Sequence, residues 1–143
     1  MAAGELALLV AALFSGAAIY VSFVEHPARQ NLASAAALAE WKPAYRRGAA
    51  MQASLALFGF LLGLIAWWQS GLWLWALGAL VLLAPWPWTL LVIMPVNRAL
   101  LATDAVSASH ETMAQLDKWA RLHAMRTALG AAATLIFLWA ELR

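Results

Sequence analysis

In the stretch "DKWARLHAMRTALG", Trp119, His123, Arg126 and Gly130 stand at i, i+4, i+7 and i+11. At about 100° per helical residue they form one narrow stripe. The stripe sets an imidazole, which can accept a proton, beside a guanidinium with a permanent charge and a rigid fork of donors. Elsewhere a carboxylate and a second imidazole adjoin in Glu25 and His26, and Asn97 closes a long apolar run. Trp41, Tyr45, Arg46 and Gln52 follow one another near the start of another apolar run. Three chemistries are open to these residue types. Proton transfer with stabilisation of developing negative charge uses imidazole, guanidinium and amide groups. His26, Glu25 and His123 could instead make a 2-His-1-carboxylate iron or copper site, or the two histidines could be axial ligands to haem. Neither histidine has the i, i+4 partner of a helical metal pair, so this second signal is weak. The third is capture of an aromatic compound without chemistry, with Trp86 and Trp88 as flat apolar walls.

The elements that must position these residues are membrane spans. The chain is 65% hydrophobic and 11% charged, with nine Trp, and its mean hydropathy is +0.76. No soluble domain needs so much apolar surface to bury one core. Uncharged runs from Leu6 to Val24, Gly48 to Trp68 and Gly71 to Asn97 each meet the roughly 20 residues that cross a ~30 Å hydrocarbon layer. The first lacks the basic flank of a signal peptide and is expected to remain as a span. The run from Thr127 to Ala140 is too short at ~1.5 Å per residue, so the fourth span must begin near Trp119, which draws Arg121, His123 and Arg126 inside it. The expected fold is an all-α membrane protein, a single domain over residues 1–143. It is a four-helix bundle, up-down-up-down, with spans near 5–26, 44–68, 71–97 and 118–141. A net charge of +2 without a basic run excludes a nucleic-acid partner. The absence of cysteine excludes disulfides, thiolate zinc and iron–sulfur clusters.

Arg29, Lys42, Arg46, Arg47, Arg98 and Lys118 fall on one side of the bilayer and Arg143 on the other. That asymmetry predicts an integral protein of a bacterial inner membrane with both termini outside and the polar residues at the cytoplasmic side. Trp67, Trp68, Trp73, Trp75 and Trp139 then form an outer aromatic belt, and Trp41 and Trp119 an inner one. Because the first and third spans end where the second and fourth begin, Glu25, His26, Arg46, Asn97, His123 and Arg126 come from four helices, reach similar depth and can meet in one pocket. Plainer roles compete with this. Arg29, Lys42, Arg47 and Arg98 are expected to snorkel to headgroups, Glu25 can pair with Arg29 at i+4, and Gly59, Gly63 and Gly130 suit close helix packing. Arg126 lies seven residues inside Trp119, where an ionisable group faces a bundle interior or a cavity. Four short spans without an inverted repeat argue against alternating-access transport. The lipid bilayer is the implied partner, and a homo-oligomer stays open.

The segments "GAAIYVSFVEHPAR", "EWKPAYRRGAAMQASLAL", "WTLLVIMPVNRALL" and "WARLHAMRTALG" resemble, in order, the small four-span family of domain of unknown function 1772, which includes the anthrone oxygenases of aromatic polyketide pathways. The resemblance implies oxidation of an anthrone- or hydroquinone-like aromatic substrate by molecular oxygen without an evident cofactor. The matching positions are Glu25, His26, Trp41, Asn97, Trp119, His123 and Arg126. In that chemistry a neutral imidazole can remove a proton from the methylene between the rings, and His123 is favoured over His26 because it shares its stripe with Arg126. Arg126 and Asn97 would donate to the phenolate-like oxygen, Glu25 would orient an imidazole, and Trp41, Tyr45, Trp86, Trp88 and Trp119 would hold the substrate.

Overall fold

The computed structural model describes residues 2–143. Its four long helices are α1 (Ala2–Arg29), α2 (Ser34–Ser70), α3 (Trp73–Ala102) and α4 (His110–Glu141), each long and apolar enough to cross a membrane. The described residues contain no strand. Every helix runs antiparallel to its sequence neighbours, and α1 closes the ring by packing on α4 as well as α2. The result is a four-helix transmembrane bundle, up-down-up-down.

In the half nearest the termini, small residues bring the backbones together. A Cβ on Gly63 would sit 2.9 Å from Ala79, and one on Gly78 would sit 2.5 Å from the Phe137 ring. Lipid tails are as apolar as the side chains, so close van der Waals contact rather than expulsion of water drives this packing. Phe14, Phe137, Leu82 and Trp75 fill the space between. Trp75, expected in the aromatic belt, is buried against Phe137 at 5.5 Å between ring centroids. Trp67, Trp68, Trp73 and Trp139 remain exposed. Gly71, the residue with a left-handed backbone (φ 69°), ends α2 and donates its N–H to the Trp67 carbonyl, which permits the abrupt reversal into α3.

At the other end the helices outrun the expected spans. α2 begins at Ser34 and passes through Pro43, and α4 begins at His110 on a capping box formed by Ser109 and Thr112. The connections shrink to residues 30–33 and 103–109. The extensions hold because they bury a second apolar cluster, with Leu38 and Trp41 from α2, Leu100 from α3, and Leu116 and Trp119 from α4.

Between the two clusters, α1 and α3 each carry one π-helical segment, Val21–Glu25 and Thr89–Ile93. The N–H of His26 reaches back five residues to the Val21 carbonyl, and that of Met94 to the Thr89 carbonyl. In both helices the next residue is proline, Pro27 or Pro95. A proline has no N–H and its ring clashes with the carbonyl four residues back, so a widened turn accommodates it.

Candidate functional site

Arg126 lies between the clusters, 7% exposed, although it carries a permanent charge. Its Nη2 donates to Gln52 Oε1 at 2.9 Å, and its Nε has no hydrogen-bond partner. Among the described residues no carboxylate lies within ion-pair distance of it. One turn away, His123 is 2% exposed and neither ring nitrogen makes a hydrogen bond. The imidazole stacks on Trp119 (5.1 Å between centroids, 18° between planes), and Trp119 meets Trp41 edge-on at 5.6 Å. Trp41 in turn stacks on Tyr45 at 4.8 Å. This train of four rings packs His123 in place, and neither ring nitrogen is tied to another side chain.

Two chambers adjoin Arg126. The larger, about 190 Å³, is walled by Phe14, Ala53, Ala56, Pro85, Trp86 and Leu90. The smaller, about 20 Å³, is lined by Glu25, Trp41, Trp119 and His123. Tyr45, Ala49, Gln52 and Arg126 border both. A cavity of roughly 10–15 Å³ or more holds one water, so the smaller chamber is a site for a single water-sized molecule beside an imidazole and a guanidinium.

The other expected site residues are placed differently. Glu25 lines the smaller chamber, but its Oε1 accepts a hydrogen bond from Arg29 Nη2, while Arg29 Nε donates to Glu40. Arg29, expected to snorkel, is 2% exposed and clasped between two carboxylates. His26 lies outside both chambers. Its Nε2 is 3.2 Å from Asp117 Oδ1, which also accepts from Gln30 Nε2 at 3.0 Å. Asn97 is wholly buried with neither amide atom hydrogen-bonded, yet it borders neither chamber. Trp88 turns away from the larger chamber and donates its Nε1 to the Leu122 carbonyl at 3.0 Å. Trp86 does line that chamber, with its Nε1 donating to the Ala53 carbonyl at 3.2 Å. Among the described residues no three His, Asp or Glu side chains converge as metal ligands, so His26, Glu25 and His123, the alternative ligand set, are not brought together.

Gln52, to which the sequence pattern assigned no role, borders both chambers and holds Arg126. Its signal was present: Ala49, Gln52, Ala53 and Ala56 at i, i+3, i+4 and i+7 put one amide on a face of alanines inside an apolar span.

The fold and site define a small four-span membrane protein with an apolar chamber that ends on a buried cation. The family model for anthrone oxygenase matches residues 41–136, more than half of the chain. The chain belongs to the anthrone oxygenase family. The matched region contains Trp41, Tyr45, Gln52, Trp119, His123 and Arg126 and leaves the Glu25–His26 pair outside it. No curated protein and no solved structure matches the chain.

Proposed function

We propose that the protein oxidises a small planar aromatic substrate of the anthrone or hydroquinone type with molecular oxygen. The observation that carries this reading is Arg126, a buried cation without a carboxylate partner among the described residues, on the wall shared by an apolar chamber and a smaller one beside His123 and Glu25. Such a guanidinium favours a ligand oxygen that gains negative charge during reaction. The substrate enters the larger chamber with its oxygen toward Arg126, whose geometry Gln52 fixes.

His123 is the base. It acts through the water-sized site that it shares with Arg126, since one bridging water keeps a proton within reach of a general base. Loss of a proton from the methylene of an anthrone gives an electron-rich carbanion whose charge spreads onto the oxygen facing Arg126. That carbanion reduces dioxygen by electron transfer, and the two combine as a carbon-bound peroxide. Protonation gives the hydroperoxide. Loss of the second C–H proton with cleavage of the O–O bond then leaves a carbonyl and releases water, so one dioxygen is consumed, one oxygen atom is retained and one water is formed. Glu25, on the same chamber and with its side chain 24% exposed, hands the proton on toward solvent. Asn97 has no part in this scheme. The reaction as written uses no bound cofactor.

The test is oxygen-dependent turnover of an anthrone by the protein in proteoliposomes. His123→Ala and Arg126→Ala are each expected to lower the rate about 100-fold or more, whereas Arg121→Ala, an exposed cation one helical face away, leaves it unchanged. Folded stripe variants that turn over at the wild-type rate would overturn the assignment. Saturable binding without oxygen consumption by the wild type would make the protein a carrier of such compounds.

A further inference from the structure

The larger chamber is not closed. Its inner wall, Phe14 and Ala56, is fully buried, but at its rim Trp86 is 39% exposed and Leu90 57%. That rim lies between α2 and α3, and its depth decides what it opens to. Trp86 sits near the middle of α3, so about 20 Å of helix separates it from either end at ~1.5 Å per residue. Exposure at that depth is exposure to acyl chains rather than to water.

The same two helices are in tight contact one turn nearer the termini. A Cβ on Gly59 would come within 2.4 Å of Leu82, and one on Gly63 within 2.9 Å of Ala79. Regular α3 structure is interrupted at Ala84, ahead of Pro85 and Pro87, and from there the two backbones stand apart until Leu38 and Trp41 of α2 meet Ile93 and Leu100 of α3 in the second apolar cluster. On the α2 side the facing residues are Ala49, Ala53 and Ala56, too short to fill the gap. Trp86 spans it, held by the hydrogen bond from its indole N–H to the Ala53 carbonyl. A fissure therefore runs from mid-bilayer to Arg126, with one indole across its mouth. Volume gives a second argument. An apolar cavity of roughly 150 Å³ takes one benzene ring, so about 190 Å³ encloses less than a tricyclic system. A third ring must occupy the fissure.

We infer that the fissure between α2 and α3 is a portal through which an uncharged, membrane-dissolved aromatic compound reaches the larger chamber directly from the bilayer, with Trp86 as its latch. The inference rests on reading that chamber as the substrate site, and it narrows the substrate class. Compounds that carry a carboxylate, sulfate or sugar on the ring remote from Arg126 are excluded, because that ring stays in hydrocarbon, where a charge or an unsatisfied polar group is costly.

The chain has no cysteine, so access can be measured without turnover. In proteoliposomes, Ala56→Cys on the inner wall is expected to react with a lipid-dissolved N-aryl maleimide and not with a charged, membrane-impermeant thiol reagent. Excess lipid-dissolved anthrone should protect it. Adding Trp86→Phe, which removes the latch hydrogen bond but keeps a ring, should speed labelling about threefold, the scale of one interhelical hydrogen bond in a membrane. Adding Ala53→Leu or Leu90→Trp, on opposite rims, should slow it at least tenfold. Faster labelling by the charged reagent, or unchanged labelling in whichever rim variant folds, would overturn the portal. Labelling and protection as expected, with no oxygen consumption by the wild type, would leave the portal standing and sink the oxygenase reading alone.

Discussion

Gln52 holds the one hydrogen bond that the structure gives the Arg126 guanidinium, at 2.9 Å between buried partners. Replacing it with leucine removes the acceptor while keeping the volume close. A hydrogen bond to a charged group contributes about 1.5–3 kcal/mol, and the Arg126 Nε has no second partner to keep the guanidinium in place. If that hydrogen bond is what aims Arg126 at the substrate oxygen, its loss appears in the transition state as about a 10- to 100-fold fall in kcat, at about 1.4 kcal/mol per decade. Gln52→Glu separates position from charge. Its carboxylate still holds the guanidinium but neutralises it, so the bundle stays as stable as wild type while turnover falls as far as in Arg126→Ala. The assay is oxygen uptake in proteoliposomes beside thermal unfolding in detergent. The expected pattern is Gln52→Leu slow and less stable, Gln52→Glu slow and stable. Wild-type kcat in Gln52→Leu, with Arg126→Ala inactive, would refute the clamp.

Two further expectations test the bundle around the site. Gly78→Ala forces a Cβ to 2.5 Å from the fully buried Phe137 ring, whereas a Cβ on Gly16 meets nothing within 4 Å. Overpacking of this kind costs about 1–3 kcal/mol, so Gly78→Ala should melt well below wild type and Gly16→Ala at or above it. Equal midpoints would show that the helices do not pack this closely in the bilayer. Both termini share the end remote from Arg29, Lys42 and Arg46. A C-terminal reporter that fluoresces only in the cytoplasm should therefore stay dark, and a bright one would put the Arg126 end of the bundle outside.

The spans were legible because a bilayer demands apolar length, and Arg126 because a charge seven residues inside an interfacial tryptophan has few places to go. The helix extensions were not. Glu40, Lys42 and Pro43 interrupt the apolar pattern in the first turns of α2, and the cluster that keeps those turns helical is completed by residues of α3 and α4. Arg29 was misread for a similar reason. Its partner Glu25 is a sequence neighbour at i+4, but Glu40, which completes the clasp, reaches it from α2. The pairing of Trp86 with Trp88 as one wall fails on geometry available from the start. Two residues apart on a helix differ by about 200° in direction, so one borders the chamber and the other faces Leu122.

His26 and Asn97 were misplaced by a single physical cause. Each was assigned to its helix face by counting at 100° per residue, His26 from Ser15 and Ser22, Asn97 from Trp86 and Ile93. A π-helical segment separates Ser15 from His26 and another separates Trp86 from Asn97, Val21–Glu25 in α1 and Thr89–Ile93 in α3, with Ser22 and Ile93 inside them. A π turn takes in one residue more than an α turn, so everything beyond it is rotated by about 100° from the α-helical count. The rotation turns His26 toward Asp117 on α4 and leaves Glu25 on the smaller chamber, and it buries Asn97 while Trp86 stands at the rim. The prolines that require the widened turns, Pro27 and Pro95, are visible in the sequence, each after five π-helical residues and one spacer. Read that way, the two X-Pro steps do more than end spans: they set which polar side chains α1 and α3 present at the level of His123 and Arg126.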